Sequence, residues 1–394
     1  MIGKRIFIGK TFSMILFLTV FMFIASCEKA GDIEYRTTKT VLVYMAADNN
    51  LSGYALNNIS SMRYSMTRDM EYANLLVFVD RKNIKPALLH LHDRRIDTLK
   101  VYDELNSSDS RVLSDVIQTV LNDWKAESYG LILWSHGMSW VPESQTHALA
   151  NKQGWAPMRY GTPTKWFAPN DVNSDGTQYT CMEIDDLADA IPDGVFDYIA
   201  FDACYMGSVE VLYALRKKVP YIISSSCEIM QDGFPYRNVT SSFLNNNLVK
   251  VCRDFHNYYD TRNGELRTAS ISLVRTDELD SLARCFKKIV AANKDKISTL
   301  ETADIQHFDR FEKHIMFDLE DFVDKLGTGK EDLTEFRLQL EKCVLYKNST
   351  PYIVNNIKMD TFCGLSVFIP LESFEASGLN DDYRDTEWSR DTGY

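Results

Sequence analysis

Leu131-Ile132-Leu133-Trp134-Ser135-His136-Gly137 and Phe196-Asp197-Tyr198-Ile199-Ala200-Phe201-Asp202-Ala203-Cys204 decide the fold. Each is a short apolar run that ends in a reactive side chain, an imidazole in the first and a thiol in the second. Short apolar runs alternating with helical patterns mark parallel strands buried on both faces of a sheet. In such sheets reactive groups collect beyond the carboxyl ends of the strands. A histidine and a cysteine delivered to one edge are the smallest set that makes a cysteine nucleophile.

The flanking pattern agrees. Residues 40–47 form an unbroken apolar strand that runs into Asp48-Asn49-Asn50, a loop and helix cap. A helix over 52–68, a strand over 74–80 and a hairpin (88–91 and 98–102, turning at Asp93-Arg94-Arg95) follow. Ser110 opens an amphipathic helix with Val112, Leu113, Val116, Ile117, Val120, Leu121 and Trp124 at helical spacing. Helices over 182–190 and 206–217 flank the Cys204 strand, and a strand over 220–226 comes next. The β-α-β order gives an α/β fold class, a mostly parallel central sheet with helices on both faces. Past about residue 250 the pattern is more helical (277–295, 307–326, 330–344), with a last strand over 365–370. The expected domains are a signal peptide at 1–26, a tether at 27–39, a core at 40–250 and a C-terminal accessory helical/β region at 251–394.

At the amino terminus, Lys4, Arg5 and Lys10 precede an apolar stretch from Phe12 to Ala25. Its length of about 14 residues falls short of the ~20 that a membrane helix needs, so it reads as a signal h-region. Ile24-Ala25-Ser26-Cys27 resembles a bacterial lipobox, which implies cleavage before Cys27 and a lipid on its thiol. The expected location is outside the cytoplasm, membrane-anchored on the periplasmic face or the cell surface. Removing residues 1–26 takes away those three cations and no acid, moving the formal net charge from −12 to −15. That balance argues against nucleic acid as a partner.

Beyond Cys27 the cysteines are Cys181, Cys204, Cys227, Cys252, Cys285, Cys343 and Cys363. The count is odd, so in an oxidising compartment at least one thiol stays free or pairs between chains. No CxxC and no clustered Cys/His spacing points to zinc. Asp171-Val172-Asn173-Ser174-Asp175-Gly176 resembles the start of a calcium loop, but Met182 occupies the twelfth position. No cofactor is expected, with calcium left open.

Residues 138–180 are unusual. They carry Trp140, Trp155 and Trp166, closely spaced prolines and glycines, and few periodic apolar positions. A connection this long inside a compact domain is functional or flexible. It contains Lys152, Arg159 and Lys165, and reads either as a surface insertion or as an activation loop cut by the enzyme itself.

Residues 40–51 (TVLVYMAADNNL), 129–140 (YGLILWSHGMSW), 182–187 (MEIDDL), 196–211 (FDYIAFDACYMGSVEV) and 364–370 (GLSVFIP) resemble blocks of the clostripain peptidase family. The resemblance implies a caspase-like three-layer sandwich and hydrolysis of peptide bonds by a His136/Cys204 dyad. It also implies that Gly137 and Cys204 donate backbone N–H groups to the oxyanion, and that Asp202 and Asp232 line a pocket for a basic side chain, Arg or Lys. It places self-cleavage at Lys152, with Arg159 the alternative, giving a monomer or a self-cleaved two-chain form. The partners so implied are protein or peptide substrates with a basic residue before the scissile bond, and a membrane through the lipid. Three features depart from the family pattern: Ser135 stands where many members have Asp, Met138 and Ser139 replace glycines, and residues 225–236 diverge.

A free thiol is only a few per cent ionised near neutrality, so Cys204 needs help; a helix starting directly after it would supply a dipole. His90, His92, His147, His256, His307 and His314 lack the strand-end placement and read as structural or solvated. The competing function is a catalytically silent surface lipoprotein that keeps the fold to bind peptides or partner proteins.

Overall fold

In strand β1 (Lys39–Ala47) every one of the nine positions is buried, as expected for a strand with helices packed on both faces. The computed structural model describes residues 37–142, 144–145, 167–171, 179–297, 299–327 and 329–394. The further strands are β2 (Ala73–Arg81), β3 (Ile84–His92), β4 (Arg95–Val101), β5 (Ser128–Trp134), β6 (Phe167–Asp171), β7 (Tyr179–Met182), β8 (Phe196–Asp202), β9 (Tyr221–Ser224), β10 (Ser270–Arg275), β11 (Phe317–Asp318), β12 (Val344–Ser349), β13 (Tyr352–Ile353), β14 (Ile357–Lys358) and β15 (Ser366–Val367). Nine of them form one sheet in the order β12-β10-β9-β8-β5-β1-β2-β3-β4. The central strands β2-β1-β5-β8-β9 are parallel, and β3, β4, β10 and β12 extend both sides antiparallel.

Side chains alternate across the sheet because successive Cβ atoms of a strand point to opposite faces. Leu42, Tyr44, Leu131, Leu133, Ile199 and Phe201 join the core that holds helices Ser110–Asp123, Val209–Ala214 and Leu279–Ile297. Val41, Val43, Ile132, Trp134 and Tyr198 join the opposite core with helices Ser52–Ser65, Tyr236–Leu244 and Leu248–Asp260. The result is the α/β three-layer sandwich. Residues 251–394, expected as an accessory region, contribute β10 and β12 to the sheet, and their side chains share a core with β1.

Two expected helices differ. The 307–326 segment is helical only at Leu319–Lys325. The buried carboxylate of Asp309 accepts N–H groups from Phe311, Ile315 and Met316 (2.8–2.9 Å) and holds residues 309–316 as an irregular loop. The helix expected over 206–217 is confined to Val209–Ala214, capped by the Ser208 hydroxyl.

Gly130 and Tyr198 face each other across β5 and β8. A Cβ on Gly130 would lie 2.4 Å from the tyrosine ring, so the glycine makes room for it. Gly130→Ala should therefore lower unfolding free energy by about 1–3 kcal/mol, the usual cost of overpacking, measured by denaturant unfolding.

Candidate active site

β5 and β8 pair in parallel with Trp134 opposite Asp202. Two residues further along each strand, His136 and Cys204 leave the sheet at the same level. The Ser135 N–H donates to the Asp202 carbonyl (3.3 Å) and the Ser135 hydroxyl to the Ala46 carbonyl (2.7 Å), tying the exits of three strands together. A Cβ on Gly137 would sit 2.6 Å from the Cys204 carbonyl oxygen. Only glycine permits that approach, which accounts for Gly after His. Among the described residues, neither the Gly137 nor the Cys204 N–H donates a hydrogen bond.

His136 is buried, and its Nε2 lies 2.7 Å from the Asn50 amide oxygen. That oxygen is an acceptor, so Nε2 carries the proton and Nδ1 keeps its lone pair. Burial pushes the imidazole down to about 3. The Cys204 thiol accepts the Ile229 N–H (3.3 Å) and donates to the Ile229 carbonyl (3.7 Å). Burial first, and the Glu228 carboxylate second, push it up to about 12. The resting pair is therefore a neutral thiol and a neutral imidazole.

The Asp202 carboxylate is buried. It accepts the Phe234 N–H on both oxygens (3.1 and 3.0 Å) and the Tyr236 hydroxyl (2.8 Å). Burial raises it to about 7, against those donors. Gly233, at φ +64°, closes over it; a Cβ there would lie 2.5 Å from a carboxylate oxygen. Asp232 precedes that glycine and is exposed. Its carbonyl accepts from the Asn58 amide (3.0 Å), whose oxygen accepts the Trp134 indole N–H (2.7 Å). The turn that carries Asp232 thus wraps the carboxylate at the end of β8.

The dipole expected at Cys204 is absent. Residues 204–207 form a turn with Tyr205 at φ +60°, and its N–H groups at Tyr205 and Gly207 go to the Cys227 and Ser225 carbonyls. The sequence reading also missed Asn50, Asn58 and the Ile229 contact. Asn50 had a signal, since it lies just beyond the strand next to the histidine strand, but the segment read as a helix cap; the cap is Leu51, without a side-chain bond. Cys27, Lys152, Arg159 and most of the calcium-like segment (172–178) lie outside the described residues. The loop's far end is described: the Ala168 N–H donates to the His136 carbonyl (3.3 Å) and the Asn49 amide to the Pro169 carbonyl (2.9 Å). Cys204, Cys227, Cys252, Cys285, Cys343 and Cys363 are free thiols. Among the described residues no three His, Cys, Asp or Glu side chains group for a metal, and no helix is long and apolar enough to cross a membrane.

The sequence model of the Clostripain family (Peptidase C11) matches residues 43–375. The chain belongs to the clostripain family. It is similar to an inactive zymogen C11 protease from Parabacteroides distasonis, with 31% identity, TM-score 0.75, and coverage of 90% of this chain and 98% of the other. It is also similar to a secreted C11 cysteine protease from Bacteroides thetaiotaomicron solved with an irreversible peptide inhibitor, with 29% identity, TM-score 0.74, and coverage of 90% and 99%. Clostripain of Hathewaya histolytica is 26% identical over 231 residues. That match spans 51% of this chain but only 41% of clostripain's length. The chain is thus a clostripain-family cysteine peptidase with a caspase-like sheet.

Asn50→Ala frees the imidazole to turn. With His136 as the catalytic base, peptide hydrolysis would lose on the order of 10²-fold in kcat, as misplacing a reacting group does, with KM little changed in steady-state kinetics; an unchanged kcat would count against that role.

Proposed function

We propose that the chain is an exported endopeptidase that cleaves after Arg or Lys through His136 and Cys204. The in-register exits of β5 and β8, with Gly137 packed on the Cys204 carbonyl, carry this reading. The thiol proton passes to His136 Nδ1 as Sγ bonds to the scissile carbonyl carbon. The oxyanion meets the N–H groups of Gly137 and Cys204. The C–N bond then breaks as the imidazolium protonates the departing amine, leaving an acyl-enzyme. Water, losing a proton to His136, hydrolyses it and regenerates the thiol.

Asp202 and Asp232 supply the basic preference. A buried carboxylate held up to about 7 by desolvation gains most from a guanidinium or ammonium partner. The carboxyl is neutral below about 7 and ionised above, so kcat/KM for Arg and Lys substrates should rise through that pH relative to substrates with an uncharged residue there. Asp202→Asn should remove this rise and cost on the order of 10²-fold or more. A panel of Arg, Lys, Asn and Asp fluorogenic peptides tests the pocket; preference for Asn or Asp overturns it. Binding without turnover on all four would favour the silent peptide-binding protein.

We further propose activation by self-cleavage within 138–180, at Lys152 first and Arg159 second. The far end of the loop, at Ala168 and Pro169, contacts His136 and Asn49, which ties the loop to the site. The two pieces would stay together because β5 and β8, on either side of the cut, are hydrogen-bonded neighbours. Purified wild type should run as two bands on a denaturing gel and Cys204→Ala as one; equal intactness of both defeats the idea. Cys27 as a lipid anchor remains part of the proposal, supported by the n-region and lipobox-like sequence and by the likeness to a secreted relative. No resident cofactor is assigned.

A further inference from the structure

Glu228 is the acid nearest in sequence to the Ile229 amide that grips the Cys204 thiol. Its carboxylate meets the Arg310 guanidinium in a two-pronged pair, Nε at 3.1 Å and one terminal nitrogen at 3.0 Å. The pair is largely buried, at 24% exposure for the Arg310 side chain and 12% for Glu228. Tyr205, the residue after Cys204, lowers the Glu228 carboxyl against its burial, and its ring lies 6.4 Å from that of Phe311. Arg310 is presented by a braced loop: the Asp309 carboxylate accepts three backbone N–H groups and faces His314 Nδ1 at 3.0 Å. His307 stacks on His314 at 3.5 Å.

We infer that Arg310 and Glu228 are positioning residues that seat the Ile229 amide on the Cys204 sulfur and set the charge the thiol experiences. The inference rests on Cys204 being the nucleophile. A planar guanidinium matches a carboxylate in two bonds, which fixes orientation as well as distance. The charged and titratable groups around the thiol include Glu228, Arg310, Asp202 and Tyr205, with His136 at the neighbouring strand end. Those around Glu228 include Arg310, Tyr205, Asp309, Cys204 and Cys227. Glu228 opposes thiolate formation and Arg310 favours it, so removing either alone moves the thiol in opposite directions.

The test is the pH dependence of Cys204 alkylation by iodoacetamide in the full chain, with Cys204 identified by peptide mass mapping. A small neutral reagent needs no substrate pocket, so the result stands apart from whether peptides are cleaved. Arg310→Gln should slow alkylation at pH 8 and Glu228→Gln should speed it, each about threefold per unit of thiol shift: tenfold in thiolate, partly returned through nucleophilicity. Glu228→Gln/Arg310→Gln should fall back toward wild type. A merely structural pair would shift both single variants the same way, or neither, and either result overturns the inference. If Arg310→Gln does not fold, Arg310→Lys keeps the charge and should alkylate near the wild-type rate while Glu228→Gln remains faster. An unchanged rate in Glu228→Gln then overturns it.

Discussion

Everything at the site depends on the register between β5 and β8. Because side chains alternate along a strand, a slip of one residue would carry the Asp202 carboxylate to the opposite face, away from Phe234 and Tyr236. It would also move Cys204 out from under Gly137. Two features hold the register. Both strands are buried on both faces, so a slip of one residue would force the close-packed side chains of both cores to repack at once. Gly130 also sits opposite Tyr198, where only a residue without a Cβ clears the ring.

The same burial sets the resting electrostatics. Desolvation is the first cause at His136, Cys204 and Asp202, and in each it favours the neutral form. Local hydrogen bonds oppose it at Asp202 and Cys204 without winning. Such surroundings hold the three groups uncharged, and charge separation there needs an added dipole or an opposite charge close by. The Ile229 contact adds to this, since its carbonyl accepts a hydrogen bond from the protonated thiol. Reorganisation of that turn is thus coupled to exposing the sulfur.

Much of the fold was legible because parallel strands announce themselves by two-sided apolar runs. The positions of His136 and Cys204 followed from where those runs stop. The remainder depended on long-range partners. Asn50, Asn58 and Glu228 bond residues 86, 174 and 82 positions away, and no local pattern encodes such pairs. The 307–326 segment misled for a physical reason. Phe308, Phe311 and Ile315 follow helical spacing, but the acceptor at Asp309 offers the backbone N–H groups a competing partner, and the chain folds around that carboxylate instead. The missing dipole has a similar cause, since carbonyls of residues 225 and 227 capture the N–H groups beyond Cys204.

These captures make the Cys204 turn a property of the chain from residue 37 to 394. The Ser366 N–H donates to the Gly207 carbonyl (3.0 Å). The Phe368 N–H donates to Glu210 (2.9 Å), a carboxylate that burial raises to about 7. The Ser226 hydroxyl bridges the Gly207 and Gly364 carbonyls. A chain ending at residue 250 would leave Gly207 and Glu210 without these donors and Glu228 without Arg310. Buried acceptors stripped of partners cost more than the bonds contribute when made. The geometry at Cys204 is therefore built from both halves of the sequence, and its turn cannot be separated from the region that follows it.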